Sequence, residues 1–195
     1  MGEHHGHRFN QIDRLRTPER LQHLEVSRVT DLALEGISVR SMIDIGTGSG
    51  IFAQAFAGRG LAVKGIDANP EMLVAAARFH PEGKFQEAIA ESIPFPDAAF
   101  DLAFMGLVLH ETDDPLKALQ EAFRVSKTRL VILEWPNVEQ DYGPGLEERL
   151  RPEQVEALAR QAGFERIEAI PLQTLVLYRL DKGSQNGEVS GHLPH

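Results

Sequence analysis

Three glycines alternate in the segment IDIGTGSG: Gly46, Gly48 and Gly50, with Asp44 ahead of them and Thr47 and Ser49 between them. A G-x-G-x-G run lets the main chain turn sharply and lets a ligand approach it with no Cβ in the way. The helical pattern behind the turn offers free N–H groups and a positive dipole end, suited to a carboxylate or a phosphate. Asp67 stands 21 positions after Gly46, at the end of a second apolar run. A carboxylate there accepts two hydrogen bonds from a ribose diol. Glycines and acid together imply a ligand with an adenosine ribose and an anionic group nearby. The dinucleotide fingerprint G-x-G-x-x-G is not met, because Ile51 occupies the place of its third glycine, and no G-x-x-x-x-G-K-[ST] is present. No Lys or Arg lies between Asp44 and Gly58 to meet a pyrophosphate. A ligand with one carboxylate and a sulfonium, but no phosphate, fits these residues better.

A second group of candidates follows the apolar run FDLAFMG (100–106). His110 titrates near neutrality and suits proton abstraction, with Glu111 beside it. The competing reading of His110 is a structural hydrogen bond ahead of the helix at Asp114. Glu134 and Trp135 end the run RLVILEW (129–135) on the same rim, and Tyr142 falls in the loop behind them.

These residues need a frame that brings strand ends together. The pattern is α/β. Apolar runs at 41–45, 61–67, near 84–89, 100–106 and 129–135 alternate with helical periodicity. Asn69-Pro70 and Asp114-Pro115 each place an N-cap before a proline at the first helical position. A further helix starts at Pro152, with Val155, Leu158 and Ala162 on one face, and ends at Gly163. The runs 164–170 and 172–180 are separated only by Pro171, so they pair antiparallel, since a parallel pair needs a crossover. The expectation is a doubly wound, mostly parallel sheet closed by an antiparallel hairpin. Residues 17–35 read as one helix ahead of the sheet. A single domain over 11–182 is expected between tails at 1–10 and 183–195.

Composition narrows the function. With 195 residues, 20 Lys+Arg and 29 Asp+Glu, the net charge is −9, which argues against nucleic acid or an anionic membrane as a general partner. The absence of cysteine removes disulfides, thiolate metal sites and cysteine nucleophiles; no metal is expected. No apolar run spans a bilayer and the N-terminal residues lack a secretory h-region, so a cytoplasmic location is expected. His4, His5 and His7 crowd the first ten residues and read as a tail. A monomer or a homodimer fits equally.

The landmarks IDIGTGSG, GIDANPEMLVAAA, AESIPFPDAAFDLAFMGLVLHETDDP, VILEWP and RPEQVEALARQAGF resemble those of the class I S-adenosylmethionine-dependent methyltransferases. The resemblance is to the small-molecule group that includes the ubiquinone/menaquinone C-methyltransferases, and covers roughly residues 8–180. It implies a Rossmann-like sheet of seven strands in the order 3-2-1-4-5-7-6. It also implies S-adenosyl-L-methionine as cofactor and a small-molecule acceptor. Asp44 and the loop Gly46, Thr47, Gly48 and Gly50 would hold the methionyl amino and carboxylate groups, and Asp67 the ribose hydroxyls. Ala68 and Met72 would border the adenine, with Ala90 and Glu91 at its edge; Ile89 stands where the family often has an acid. Met105 and Gly106 would lie beside the sulfonium. The segment SKT (126–128) replaces a common Pro-Gly-Gly turn. A segment such as FNQIDRLRTPERL packs over the site in relatives, which would bring Phe9 and Arg16 near the ligand. Transfer would need a nucleophile in line with the S–CH₃ bond and water excluded. A chain that keeps the pocket but lacks transfer, acting as a sensor or partner subunit, is the alternative; a nicotinamide oxidoreductase is disfavoured by Ile51.

Overall fold

The computed structural model describes residues 16–183. The 1–10 tail, nearly all of 183–195 and Phe9 lie outside the described residues.

The unbroken apolar runs become the centre of a sheet, because strands covered on both faces leave no polar alternation to read. β1 (Ser41–Ile45) pairs in parallel with β2 (Ala62–Asp67) on one side and β4 (Phe100–Gly106) on the other. β2 continues to β3 (Lys84–Glu87), and β4 to β5 (Ser126–Glu134), again in parallel. β7 (Val176–Asp181) pairs antiparallel with β5, and β6 (Arg166–Pro171) antiparallel with β7. The order is therefore β3-β2-β1-β4-β5-β7-β6, as expected.

Helices cover both faces. The two short helices α1 (Pro18–His23) and α2 (Val26–Leu34) precede the sheet, and α3 (Ile51–Ala57) follows β1. Residues of α2 and α3 share a core with Phe104, Leu133 and Leu177. On the other face α5 (Pro115–Val125) and α6 (Pro152–Ala162) pack on Ile43, Met105 and Ile132. α4 (Pro70–Phe79) lies along β2 and β3. The capping signals act as read: the Asn69 side chain accepts from Glu71 N–H and Asp114 from Lys117 N–H, each with proline in the first turn.

Three expectations are corrected. The helix expected over 17–35 is broken at Glu25, which adopts a left-handed φ of 45°. The break is held from afar: Gln173 N–H donates to Glu25 Oε1 at 2.7 Å, and Thr174 Oγ1 to the His23 carbonyl at 3.0 Å. A tertiary tether thus overrides helical periodicity. The SKT segment is no turn either; β5 begins at Ser126, directly after α5, with Ser126 opposite Phe100. Pro171 alone does not make the hairpin: it ends β6, and the turn runs over 172–175, closed by Leu172 N–H on the Leu175 carbonyl.

Among the described residues no helix is long and apolar enough to cross a membrane, and no group of three or more His, Cys, Asp or Glu could hold a metal ion.

Candidate functional site

In a doubly wound sheet the carboxyl ends of the central strands open onto a crevice where the topology reverses. Here β1, β2 and β4 end around a cleft of about 480 Å³. Of the residues singled out from the sequence, Asp44, Gly46, Thr47, Gly48, Asp67, Ala68, Met72, Ala90, Glu91, Gly106 and Glu111 line it.

The three glycines do different work. A Cβ on Gly46 would stand 2.2 Å from Val108 Cγ2, and one on Gly50 3.1 Å from Ala76 Cβ. Those two glycines permit close packing, of β1 against the segment after β4 and of α3 against α4. Of the three, only Gly48 faces open space: a Cβ there would meet nothing within 4 Å. All three have positive φ, the region glycine enters without steric cost. Gly50 is the left-handed N-cap of α3 and does not line the cleft.

Asp67 is fixed by two amides: Gly48 N–H donates to Oδ2 and Asn69 N–H to Oδ1, both at 2.8 Å. A carboxylate has about four lone-pair positions, so two remain for a diol. Asp44 is buried beneath the loop, and Thr47 Oγ1 donates to its Oδ2 at 2.7 Å. Burial pushes its carboxyl up to about 7; donation from Thr47 and the Ala53 amide opposes this, and the Asp67 charge adds to it. Ser49 Oγ is buried with no hydrogen-bond partner among the described residues. A buried carboxyl whose ionisation is penalised suits an ammonium, and an unpartnered hydroxyl suits a further polar ligand atom. With the open face of Gly48 and the diol positions on Asp67, the residues present fit S-adenosylmethionine.

The far wall is set by α5. Ile93 N–H donates to Glu121 Oε2 at 2.8 Å, and Arg124 donates to the carbonyls of Ile93 and Phe95 while pairing with Glu121. This holds the segment that carries Ala90 and Glu91. Glu91 Oε1 accepts from the Asp113 and Asp114 amides, tying that wall to the turn after β4.

Met105 is not on the cleft wall. Alternation along β4 turns its side chain into the α5–α6 core, and Gly106 is the residue presented. His110 is not on the wall either. It sits on a 3-10 turn (Leu109–Glu111), with Nδ1 2.8 Å from Glu134 Oε2 and its main-chain N–H on Glu134 Oε1. Nε2 lies 3.8 Å from Oε1 of Glu111, which does face the cleft. Burial pushes the His110 pKa down, but the Glu134 hydrogen bond and charge, with Glu111 and Glu148, raise it overall.

Tyr142 lies outside the cleft, packed between His23 and Trp135 at ring distances of 5.0 and 5.9 Å. Its loop is organised by Arg149, a residue the sequence did not single out. The buried guanidinium donates to the carbonyls of Pro136, Val138, Tyr142 and Pro144 and to Gln140 Oε1. No spacing pattern announces such a residue, because its partners are main-chain carbonyls. Arg16, which the resemblance brings near the ligand, donates to the Ser49 carbonyl at 2.7 Å and stacks 4.3 Å from the Phe79 ring, so it touches the glycine loop. Arg20 and Leu24, missed from sequence, also line the cleft.

Residues 43–131 match the family model described as Methyltransferase domain. A demethylmenaquinone methyltransferase of Thermus thermophilus is 40% identical over 117 residues, 56% of this chain and 53% of that protein. A malonyl-[acyl-carrier protein] O-methyltransferase of Erwinia billingiae is 33% identical over 109 residues, 54% of this chain and 43% of that one. A solved SAM-dependent methyltransferase from Aquifex aeolicus superposes with a TM-score of 0.76 at 26% identity, over 88% of this chain and 97% of that one. Fold and cleft together are those of a Rossmann-like α/β domain, and residues 43–131 resemble the methyltransferase domain that the family model describes. The chain spans roughly a third to a half of the length of the first curated relatives it matches.

Proposed function

We propose that this chain transfers a methyl group to a small-molecule acceptor. The observation that carries the reading is Asp67, held by the Gly48 and Asn69 amides on the cleft wall that it shares with the buried Asp44. The two similar relatives differ in the acceptor their names give, so similarity supports the class and not one acceptor.

S-adenosylmethionine supplies an activated methyl group on a sulfonium. The protein binds, orients and excludes water. Asp67 would hold the ribose diol, Asp44 the ammonium, and Ala68, Met72, Ala90 and Glu91 the adenine. Gly106 would border the sulfonium; it lines the cleft at the end of β4, where a Cβ would press on Phe104 and Phe52. An acceptor that carries a proton needs a base. With Nδ1–H donated to Glu134, His110 presents Nε2 for that proton on the side where Glu111 meets the cleft. Glu134 acts as its positioning residue.

A second reading is cofactor binding without transfer. It is favoured by one observation, that the His110 ring is nearly sealed from solvent at 7% side-chain exposure and turned to Glu134. Thermal unfolding with S-adenosylmethionine, S-adenosylhomocysteine or NAD⁺ tests the cofactor. A ligand at 100 times its Kd stabilises by about 2.7 kcal/mol, several degrees for a domain of this size. A shift with the two adenosyl sulfur ligands, lost in Asp67→Ala, is expected; a shift with NAD⁺ alone would overturn the reading. Formation of S-adenosylhomocysteine in an acceptor screen separates transfer from binding.

A further inference from the structure

The cleft wall beside Asp67 is apolar. β2 pairs in parallel with β3, with Asp67 opposite Glu87, and the Ala88 amide donates to the Asp67 carbonyl at 3.1 Å. The chain leaving β3 next to that carboxylate is therefore Ala88, Ile89 and Ala90, and all three line the cleft together with Ala68 and Met72. None of these side chains carries a strong hydrogen-bonding group. The polar residues that flank them in sequence are engaged. Asn69 Oδ1 accepts from the Glu71 amide as the cap of α4, and Glu91 Oε1 accepts from the Asp113 and Asp114 amides.

A second observation concerns Ile89 itself. It is 50% exposed, and of the exposed large hydrophobic side chains among the described residues it is the one that lines the cleft. Its main chain is fixed, because Ser92 N–H donates to the Ile89 carbonyl at 3.2 Å and the two residues form an antiparallel bridge. An apolar side chain held open in a cleft gains from a flat ring laid against it. A purine whose ribose is held by Asp67 meets a wall that offers shape and contact area but no side-chain acceptor.

Adenine and hypoxanthine differ at the 6-position, an amino donor in one and a carbonyl acceptor in the other. Strong discrimination between them needs a buried polar group that the wrong base leaves unpaired; an apolar wall discriminates weakly. A main-chain N–H serves either base, because it can donate to adenine N1 or to hypoxanthine O6. We propose that Ile89 makes the base end of the cleft indifferent to the purine 6-substituent, so that S-inosyl ligands bind as S-adenosyl ligands do. The inference rests on the cofactor reading given under Proposed function and adds a selectivity to it: the ribose is read by hydrogen bonds and the base by shape.

The test is calorimetric binding by the full chain of S-adenosylhomocysteine and of S-inosylhomocysteine, which differ only at the 6-position of the base. The unmutated chain should bind the two with Kd values within about threefold of each other. Ile89→Asp supplies an acceptor for the amino group and repels the 6-oxo group, so it should prefer S-adenosylhomocysteine by roughly 10- to 100-fold. Ile89→Asn, whose amide can turn to face either base, should keep the two ligands level and shows that a polar residue is tolerated there. Asp113, the other carboxylate at this end of the lining, should be without influence, so Asp113→Asn should leave the ratio unchanged. A preference of about tenfold or more for S-adenosylhomocysteine in the unmutated chain would overturn the proposal and leave the cofactor reading standing. Level binding in Ile89→Asp would overturn it too, by placing the 6-position away from Ile89, and so would a ratio that moves in Asp113→Asn. Binding of neither ligand by the unmutated chain would overturn both the selectivity and the cofactor reading.

Discussion

Glu134 shows how one side chain decides the chemistry of another. Its carboxylate receives His110 Nδ1, the His110 amide and the Trp135 amide, and so fixes the ring and leaves Nε2 as the basic atom. The raised His110 pKa has a kinetic consequence. A base must be neutral to act, so turnover of a protic acceptor should rise with pH through a midpoint above the ordinary imidazole value. Glu134→Gln removes the anion; the midpoint should move to lower pH and kcat should fall about tenfold or more, read from pH–rate profiles. A profile that does not move would remove His110 from the reaction. The glycines make a second residue-scale prediction. Gly46→Ala adds a positive-φ strain and a collision with Val108, and should cost about 2 kcal/mol or more in denaturant unfolding. Gly48→Ala carries the strain alone, about 1 kcal/mol, and its main effect should be weaker S-adenosylmethionine binding. The G-x-G-x-G pattern was legible as a tight turn at the strand end; which glycine faces open space was not, because Val108 and Ala76 come from distant segments.

The elements are placed by side chains that bond main-chain groups of other elements. α5 holds the cleft wall that carries Ala90 and Glu91 through Glu121 and Arg124, which bridge to Ile93 and Phe95. Arg124→Ala should leave the nearly buried Glu121 with one amide donor and two carbonyls unmet. A loss of about 2 kcal/mol in stability is expected, with weaker cofactor binding measured by calorimetry. The loop over 136–149 is built in the same way around Arg149. A lysine cannot reproduce a planar fork that reaches carbonyls in several directions. Arg149→Lys should therefore expose the loop to limited proteolysis while the sheet core stays protected, as followed by mass spectrometry. Equal cleavage rates in both proteins would contradict the role given to Arg149. Helix starts at Asn69-Pro70 and Asp114-Pro115 were readable because a cap is a local event. The break at Glu25 was not, since its stabilising partner, Gln173, is 148 residues away in the chain.

For the whole molecule, the buried Asp44 couples the cleft to stability. Its carboxyl is raised from the ordinary range to about 7, so the folded state holds a proton the unfolded chain gives up, and folding is penalised increasingly as pH rises through that window. His110 acts in the same direction: its raised pKa gives stability that is present below the ordinary imidazole value and lost as pH climbs through the raised one. Asp101, held at about 2 by Lys127 and the Arg40 and Ser41 amides, acts oppositely, and its contribution is lost only in strong acid. Asp44→Asn should make the free protein more stable above neutrality by about 1 kcal/mol or more, flatten its stability between about pH 5 and 8, and weaken cofactor binding, all by thermal unfolding. A fall in stability at about pH 8 would refute this. The alternation of strands and helices, the cleft end of the sheet and the placing of Asp44, the glycines and Asp67 at strand ends were all readable from the chain. They follow from hydrophobic period, caps and short motifs, all properties of neighbouring residues, while the strand order came with the family resemblance those motifs carry. The folded chain settled what those patterns leave open: that His110 is bound to Glu134, that Met105 is core, that Arg149 builds a loop, and that Arg20 reaches the cleft. Each of these depends on which distant segments the folded sheet brings within hydrogen-bond range, and no local pattern encodes that distance.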